Sequence, residues 1–356
     1  VSRGEGCGVG CVGWNACLRA HAGMERLRGG GRAFLDGRVR ALPGRVLSRD
    51  SGAGARLGVP REEHERFFAG LLGDVDEPTA PFGVLDVRGD ASGVARASVR
   101  VGSGLSARLR ERARLLGVSP ATVLHVVWAR VVAAASGRED VVFGTVLLGR
   151  MDSGAGSDRA VGMFMNTLPV RADVAAGGVV DVVRGMHGQL AGLLVHEHAP
   201  LALAQQVSGV RAPAPLFTSL LNYRHTPVAG PGAGAGGESG FEGIGLLYTK
   251  PSNNYPLTLS VDDLGVGFAF TALAVAPIDP GLGCALALAA TENGVAALES
   301  APYVPLARVD VLGAVERDRV LVGWNDTARE VPDTTLPGLF EAQVRRSPGA
   351  MAVVCG

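Results

Sequence analysis

The sequence predicts a layered α/β protein, and three observations point there. Stretches with apolar residues at helical spacing alternate with short apolar strands from Pro60 to Leu298, the pattern of helices packed on a sheet. Some strands, DVVFGTVLLG above all, are apolar on successive residues, as strands buried on both faces are. The chain is also large enough to bury a core: it has 356 residues, 47% of them hydrophobic, and chains of that size hide about three quarters of their unfolded surface.

The elements follow in order. PREEHERFFAGLLG carries acid in its first turn and Phe67, Phe68, Leu71 and Leu72 before Gly73, so the spacing predicts a helix. DVDEPTAPFG is a proline-rich turn. Ala95 to Val101 alternates as a strand, and LSARLRERARLLG is an arginine-faced amphipathic helix stopped by Gly117. The clearest helix comes next, with Ser119 as N-cap, Pro120 in the first helical position and an apolar run to Ser136-Gly137. DVVFGTVLLG is a strand, followed by Arg150 and a polar Gly/Ser/Asp loop. VGMFMNTLPVR (Val161–Arg171) then reads as a strand with a polar pair, Asn166-Thr167, in the middle of an apolar run. VVDVVRGMHGQLAGLLVHEHAPLALAQQVSG predicts a long helix, a break at Pro200 and a short second helix. LFTSLLNYRH is a strand and Pro227 to Ser239 a Gly/Ala/Pro loop. Strands follow at Gly245–Tyr248, Tyr255–Asp262 and Gly267–Ala274, then a helix from Pro280 to Leu298. Val304 to Thr335 is proline-punctuated, and LPGLFEAQVRRSPGAMAVVCG opens a new helix–strand unit.

Composition narrows the function. A formal net charge of zero argues against general attraction to nucleic acid or anionic membrane. Lys250 is the single lysine among 34 basic residues, so the arginines reflect a GC-rich gene more than phosphate binding. Apolar runs fall short of the ~18 uninterrupted residues of a membrane span, and the N-terminus lacks a basic-then-apolar leader. A cytoplasmic protein is the expectation. Cys284 and Cys355 read as inert thiols.

Residues 1–59 stand apart. Of the first 60 residues 14 are glycine, with Arg and Cys scattered in no helical or strand period. They read either as a flexible arm or as a GC-rich gene in the wrong frame, which yields this composition; the second reading is preferred. Cys7, Cys11, Cys17 and His21 have no familiar zinc spacing, so no metal site is expected.

Taken together, the motifs resemble the condensation domains of nonribosomal peptide synthetases, over about Pro60 to Ala301. SPATVLHVVWARVVAAASGREDVVFGTVLLGR looks like the helix and strand of the family's second lobe. VGMFMNTLPVR is similar to its fifth core motif, (I/V)GxFVNTxxxR, HEHAPLALAQ to the sixth and PLFTSLLNYRHT to the seventh. FFAGLLGDVDEPTAPFG looks like one subgroup, sometimes of dual epimerising and condensing type. WNDTAREVP and LFEAQVRRSPGAMAVV are similar to the run into an adenylation domain. The resemblance implies a chloramphenicol-acetyltransferase-like condensation fold, with the second lobe largely complete and the first mostly missing. It also implies peptide-bond formation between a donor thioester and an aminoacyl acceptor. Both arrive on phosphopantetheine arms of donor and acceptor peptidyl carrier proteins, and no cofactor is bound directly.

The family's general base lies in HHxxxDG. The histidines here are His21, His64, His125, His187, His196, His198 and His225, none adjacent to another, so no catalytic residue is assigned and the chain alone is expected to be inactive. The alternative is a non-catalytic platform for carrier proteins. By resemblance, Gly162, Asn166 and Thr167 belong to the floor of a substrate tunnel. Asn166 either orients groups near the thioester or satisfies backbone where a strand leaves its sheet. Arg150 matches an arginine that pairs with the motif's aspartate; with that partner missing, pairing with Asp152 or Asp158 is preferred. Asn222, Tyr223 and Arg224 either line the tunnel or simply pack. His196 and His198, two apart on a helix, face different ways and cannot chelate together; a place beside the carbonyls of a helix end suits them better. His125 reads as a core histidine, His64 and His187 as surface residues. The expected organisation is an atypical segment 1–59, a first-lobe remnant and crossover 60–94, the second lobe 95–303, a linker 304–334 and a truncated adenylation start 335–356, with the rest of the adenylation domain as downstream partner.

Overall fold

A computed structural model describes residues 14–19, 59–86, 93–148, 165–225, 245–251, 253–330 and 333–354, with backbone alone at 14–19 and 245–251. Apart from β1 and Val59, the atypical segment 1–59 lies outside the described residues. The elements are β1 (Trp14–Arg19), α1 (Arg61–Leu72), β2 (Ala95–Arg100), α2 (Ser103–Leu115), α3 (Pro120–Ser136), β3 (Asp140–Leu147), β4 (Asn166–Asp173), α4 (Val179–Val195), α5 (Leu201–Val207), β5 (Ser219–His225), β6 (Gly245–Pro251), β7 (Leu257–Asp263), β8 (Phe268–Ala274) and α6 (Pro280–Ser300). The helix ends follow their capping residues. Ser119 accepts from the Thr122 N–H at the start of α3, and Gly137, at φ 70, closes it in the left-handed conformation that a glycine adopts without strain.

The main sheet has six strands in the order β2-β8-β7-β5-β3-β4. β3 and β7 both run parallel to β5, while β4 is antiparallel to β3, and β8 to both β7 and β2. A separate antiparallel pair joins β1 to β6. One face of the main sheet carries the helices: Gly283 of α6 lies against Ala272 and Leu257, and His125 of α3 reaches Thr145. Trp128, Phe143, Phe268 and Phe270 fill the core between the layers. α6 is long and apolar enough to cross a bilayer, but half of that span is buried within the protein, which accounts for its composition. The edges are blunted against pairing with other chains. Arg96 and Arg100 project from β2, and on β4 the Gln189 side chain accepts from the Arg171 N–H and donates to its carbonyl, imitating a strand.

The chain divides into two units, at Gly313. Residues 304–313, expected as the start of a linker, fall within the first unit. Leu306, Val309 and Val311 are buried, and the N–H groups of Leu306 and Ala307 bond to the carbonyls of Gly177 and Val174, so hydrophobic burial holds 304–313 on the first unit. The second unit contains α7 (Ala314–Leu321) and α8 (Leu336–Arg346), whose Leu336, Phe340 and Val344 are exposed.

Candidate functional site

Asn166 opens β4. Within the stretch Val161–Arg171 the described strand begins at Asn166, so the polar pair stands at the start of β4; residues 161–164 lie outside the described residues. The physical reason lies in the turn after α4. The Asn166 amide donates to the carbonyls of Glu197, at 2.8 Å, and Ala199, at 2.7 Å, and accepts from the Thr167 N–H. One side chain thereby satisfies the corner between α4 and α5, joining the VGMFMNT and HEHAP segments. Both amide hydrogens are engaged there, so Asn166 has none left for a substrate.

Five residues on, Arg171 braces the sheet to α1. Its guanidinium bonds to Asp140 at 2.7 Å, to Asp74 at 2.5 Å and to the Leu71 carbonyl at 2.9 Å. Those hydrogen bonds push Arg171 further above its already high range and pull the Asp74 carboxyl down to about 2.

Two histidines differ from expectation. His64 is not on the surface; it is buried, with Nδ1 2.8 Å from Nδ1 of His196. His196 does cap α4, but its ring turns away from the helix carbonyls into this contact, stacked on Phe67. Burial lowers both imidazole pKa values, so the neutral rings are favoured over the dipole-stabilised cation. The signal for His64 was present: it lies four and eight residues before Phe68 and Leu72, on their helix face. His198 faces Glu197 at 3.6 Å. Among the described residues no cluster of three or more potential ligands could hold a metal.

His125 is the core residue the apolar run suggests. Its ring bonds to the Ala121 carbonyl and the Thr145 hydroxyl, and burial pushes its pKa down to about 4. Cys284 is buried with its thiol raised by burial.

The trio at the end of β5 divides by face. Tyr223 donates to Asp263 at 2.6 Å on the helix-covered side, where Arg110 of α2 grips the same carboxylate. Burial, then the Asp263 contact, raises the Tyr223 hydroxyl above its ordinary range. Burial opposes ionisation of Asp263, but Arg110, Tyr223 and the Gly265 N–H prevail and hold it well below the carboxylate range. Asn222 and Arg224 point the other way, Arg224 pairing with Asp262 at 2.7 Å. Arg150, Gly162 and the Cys7, Cys11 and His21 positions lie outside the described residues, as does the side chain of Cys17.

The fold and these joined motifs define a class. The family described as Condensation domain matches residues 87–271, just over half the chain. The chain is 43% identical over 336 residues to malpinin synthetase of Mortierella alpina, covering 94% of this chain and 4% of that protein. It is 39% identical over 339 residues to malpibaldin synthetase of the same organism, covering 94% of this chain and 6% of that protein. It thus spans a small fraction of these synthetases. Among solved structures, the first condensation domain of the calcium-dependent antibiotic synthetase, in complex with a substrate analogue, shares the fold. The TM-score is 0.57 at 22% identity, over 81% of this chain and 63% of that one. This chain belongs to the condensation-domain family of nonribosomal peptide synthetases.

Proposed function

We propose that this chain is the C-terminal portion of a condensation domain, followed by a linker and the start of an adenylation domain. The observation that supports it most is the hydrogen-bonded union of two family-like segments, through Asn166 and the Glu197–Ala199 corner, at one end of the sheet. On this reading residues 60–94 are the first-lobe remnant and crossover and the second lobe starts at 95, with 1–59 an atypical segment. An intact domain joins an aminoacyl acceptor to a donor thioester, each on the phosphopantetheine arm of a carrier protein. It works in the cytoplasm, with no cofactor of its own and no nucleic acid or membrane partner.

The chemistry makes modest demands. A free α-amino group has a pKa near ~8, so roughly a tenth is neutral at pH 7. A base need only orient that amine and take its proton, worth ~10²–10⁴-fold. Holding the two thioesters together in a dry channel supplies the rest as effective molarity. On this reading the second lobe contributes one wall to that channel. Gly162, Asn166, Thr167 and Asn222 belong to the channel wall, and Arg150, its partner aspartate missing, pairs with Asp152 or Asp158. With no adjacent histidines anywhere in the sequence, this chain has binding surfaces without the base.

The test uses loaded donor and acceptor carrier proteins. The chain alone is expected to form no dipeptidyl product; turnover near that of an intact domain would refute the inactive reading. The missing HHxxxDG also favours a second reading, a carrier-binding platform. Heat on titration with a phosphopantetheinylated carrier supports it, and its absence counts against it.

A further inference from the structure

The sheet face turned away from α3 and α6 changes character row by row. Thr145, Ala272 and Leu257 touch those helices, so their strand neighbours point to the opposite face. The register there sets Thr167 beside Val146, Asn222 beside Ser260, Ser260 beside Thr271 and Thr271 beside Ser98. Gly144 and Thr145 pair with Leu220 and Leu221, and one residue further the same register sets Val146 beside Asn222. A single row thus crosses all six strands, and Val146 is its one apolar member. The row on one side, Gly144, Leu220, Thr258 and Leu273, has its hydroxyl bonded to Asn253. On the other side Arg224 and Asp262 pair.

Within the polar row, Ser98 and Thr271 bond to each other at 2.9 Å. The Thr167 hydroxyl, the Asn222 amide and the Ser260 hydroxyl have no hydrogen-bond partner among the described residues, although Ser260 is only 6% exposed. Polar groups with no protein partner are open to a ligand's own donors and acceptors. Strands lie ~4.8 Å apart, so a chain laid across them meets these groups at intervals of ~5 to ~10 Å. Hydroxyls and a carboxamide each donate and accept, which suits neutral amides and not carboxylates or phosphates.

We propose that the Thr167–Asn222–Ser260 row recognises the secondary amides of an extended thioester-linked chain lying across the sheet. This rests on the reading above that the face lines a substrate channel. Secondary amides occur in both a pantetheine arm and a peptidyl donor, and the probes separate the two. Three non-hydrolysable thioethers are titrated into the full chain: dipeptidyl-pantetheine, octanoyl-pantetheine, and a dipeptidyl group on an amide-free alkyl arm of equal length. The N222L/S260A double variant is expected to weaken the recognised probes by about ten- to a hundredfold. If the arm's amides are read, both pantetheine probes weaken and the alkyl-arm probe does not. If the peptidyl amides are read, both dipeptidyl probes weaken and the octanoyl probe does not. Thr167→Ser retains affinity where Thr167→Val loses it. Unchanged affinities, or an equal loss for all three probes, overturn the row while leaving the channel standing. Failure of the unsubstituted chain to bind any probe overturns the channel and the row together.

Discussion

The side-chain amide of Asn166 bonds to the carbonyl of Ala199, a fully buried residue, at 2.7 Å. Its second hydrogen goes to Glu197, so Asn166→Leu leaves two carbonyls without a donor and is expected to cost about 2–4 kcal/mol. Urea unfolding reads this as a lower midpoint at unchanged slope. Asn166→Asp at pH 7 sets an acceptor against acceptors and is expected to lose more than leucine does. Midpoints equal to wild type would show that the corner finds other donors.

His125 predicts acid sensitivity. Its folded pKa of about 4 lies below the ordinary 6.5, so between these values the unfolded chain binds more protons than the folded one. Stability is therefore complete above pH 6.5 and declines as pH falls, by about 2 kcal/mol at pH 5 and about 3 kcal/mol near pH 4. The lowered His64 and His196 act in the same direction. Denaturant melts at pH 7.5 and 5.0 measure the difference. His125→Asn should flatten the profile, and equal slopes for the two proteins would exclude His125 as its source.

Arg171 holds Asp74 from a distance of 97 residues in sequence. In Arg171→Met the Asp74 carboxyl should return from about 2 towards its ordinary 3.8, measurable by NMR titration. The exposure of Asp74 keeps the loss of stability small. Arg171→Lys should restore less than half, because one ammonium cannot serve two carboxylates and a carbonyl as a planar fork does. Full rescue by lysine would mean that charge alone matters.

Two glycines should respond differently to alanine. A Cβ at Gly144 would overlap Leu220 and the Phe217 ring, so Gly144→Ala is expected to cost about 1–3 kcal/mol. At Gly294, within α6, the Cβ meets only Val127 Cγ2, at 3.3 Å. A few tenths of an ångström of give there allows the gain of up to ~1 kcal/mol in helix propensity to show. Melting temperatures that fall for the first and hold or rise for the second bear this out.

Elements bounded by local chemistry were legible in advance. Ser119, Pro120 and Gly137 delimit α3 through bonds to neighbours in sequence, and Pro200 separates α4 from α5 for the same kind of reason. His125 was legible because an apolar run surrounds it on every helical face. His64 was harder: its helix has an acidic side, and the ring's burial depends on His196, 132 residues away. Residues 304–313 pack on the first unit, which their prolines did not reveal, because prolines mark irregular backbone whether or not that backbone packs.

Period and caps, acting over a few residues, therefore determined on their own that helices alternate with strands and roughly where each begins. Tertiary structure alone decided what the polar residues do. Asn166 lost its hydrogens to a corner beyond the next helix, and Tyr223 was turned to the helix side while Asn222 faced outward. A strand's alternation separates its two faces, but which face meets helices depends on strand order and register, and those are set by contacts between distant segments.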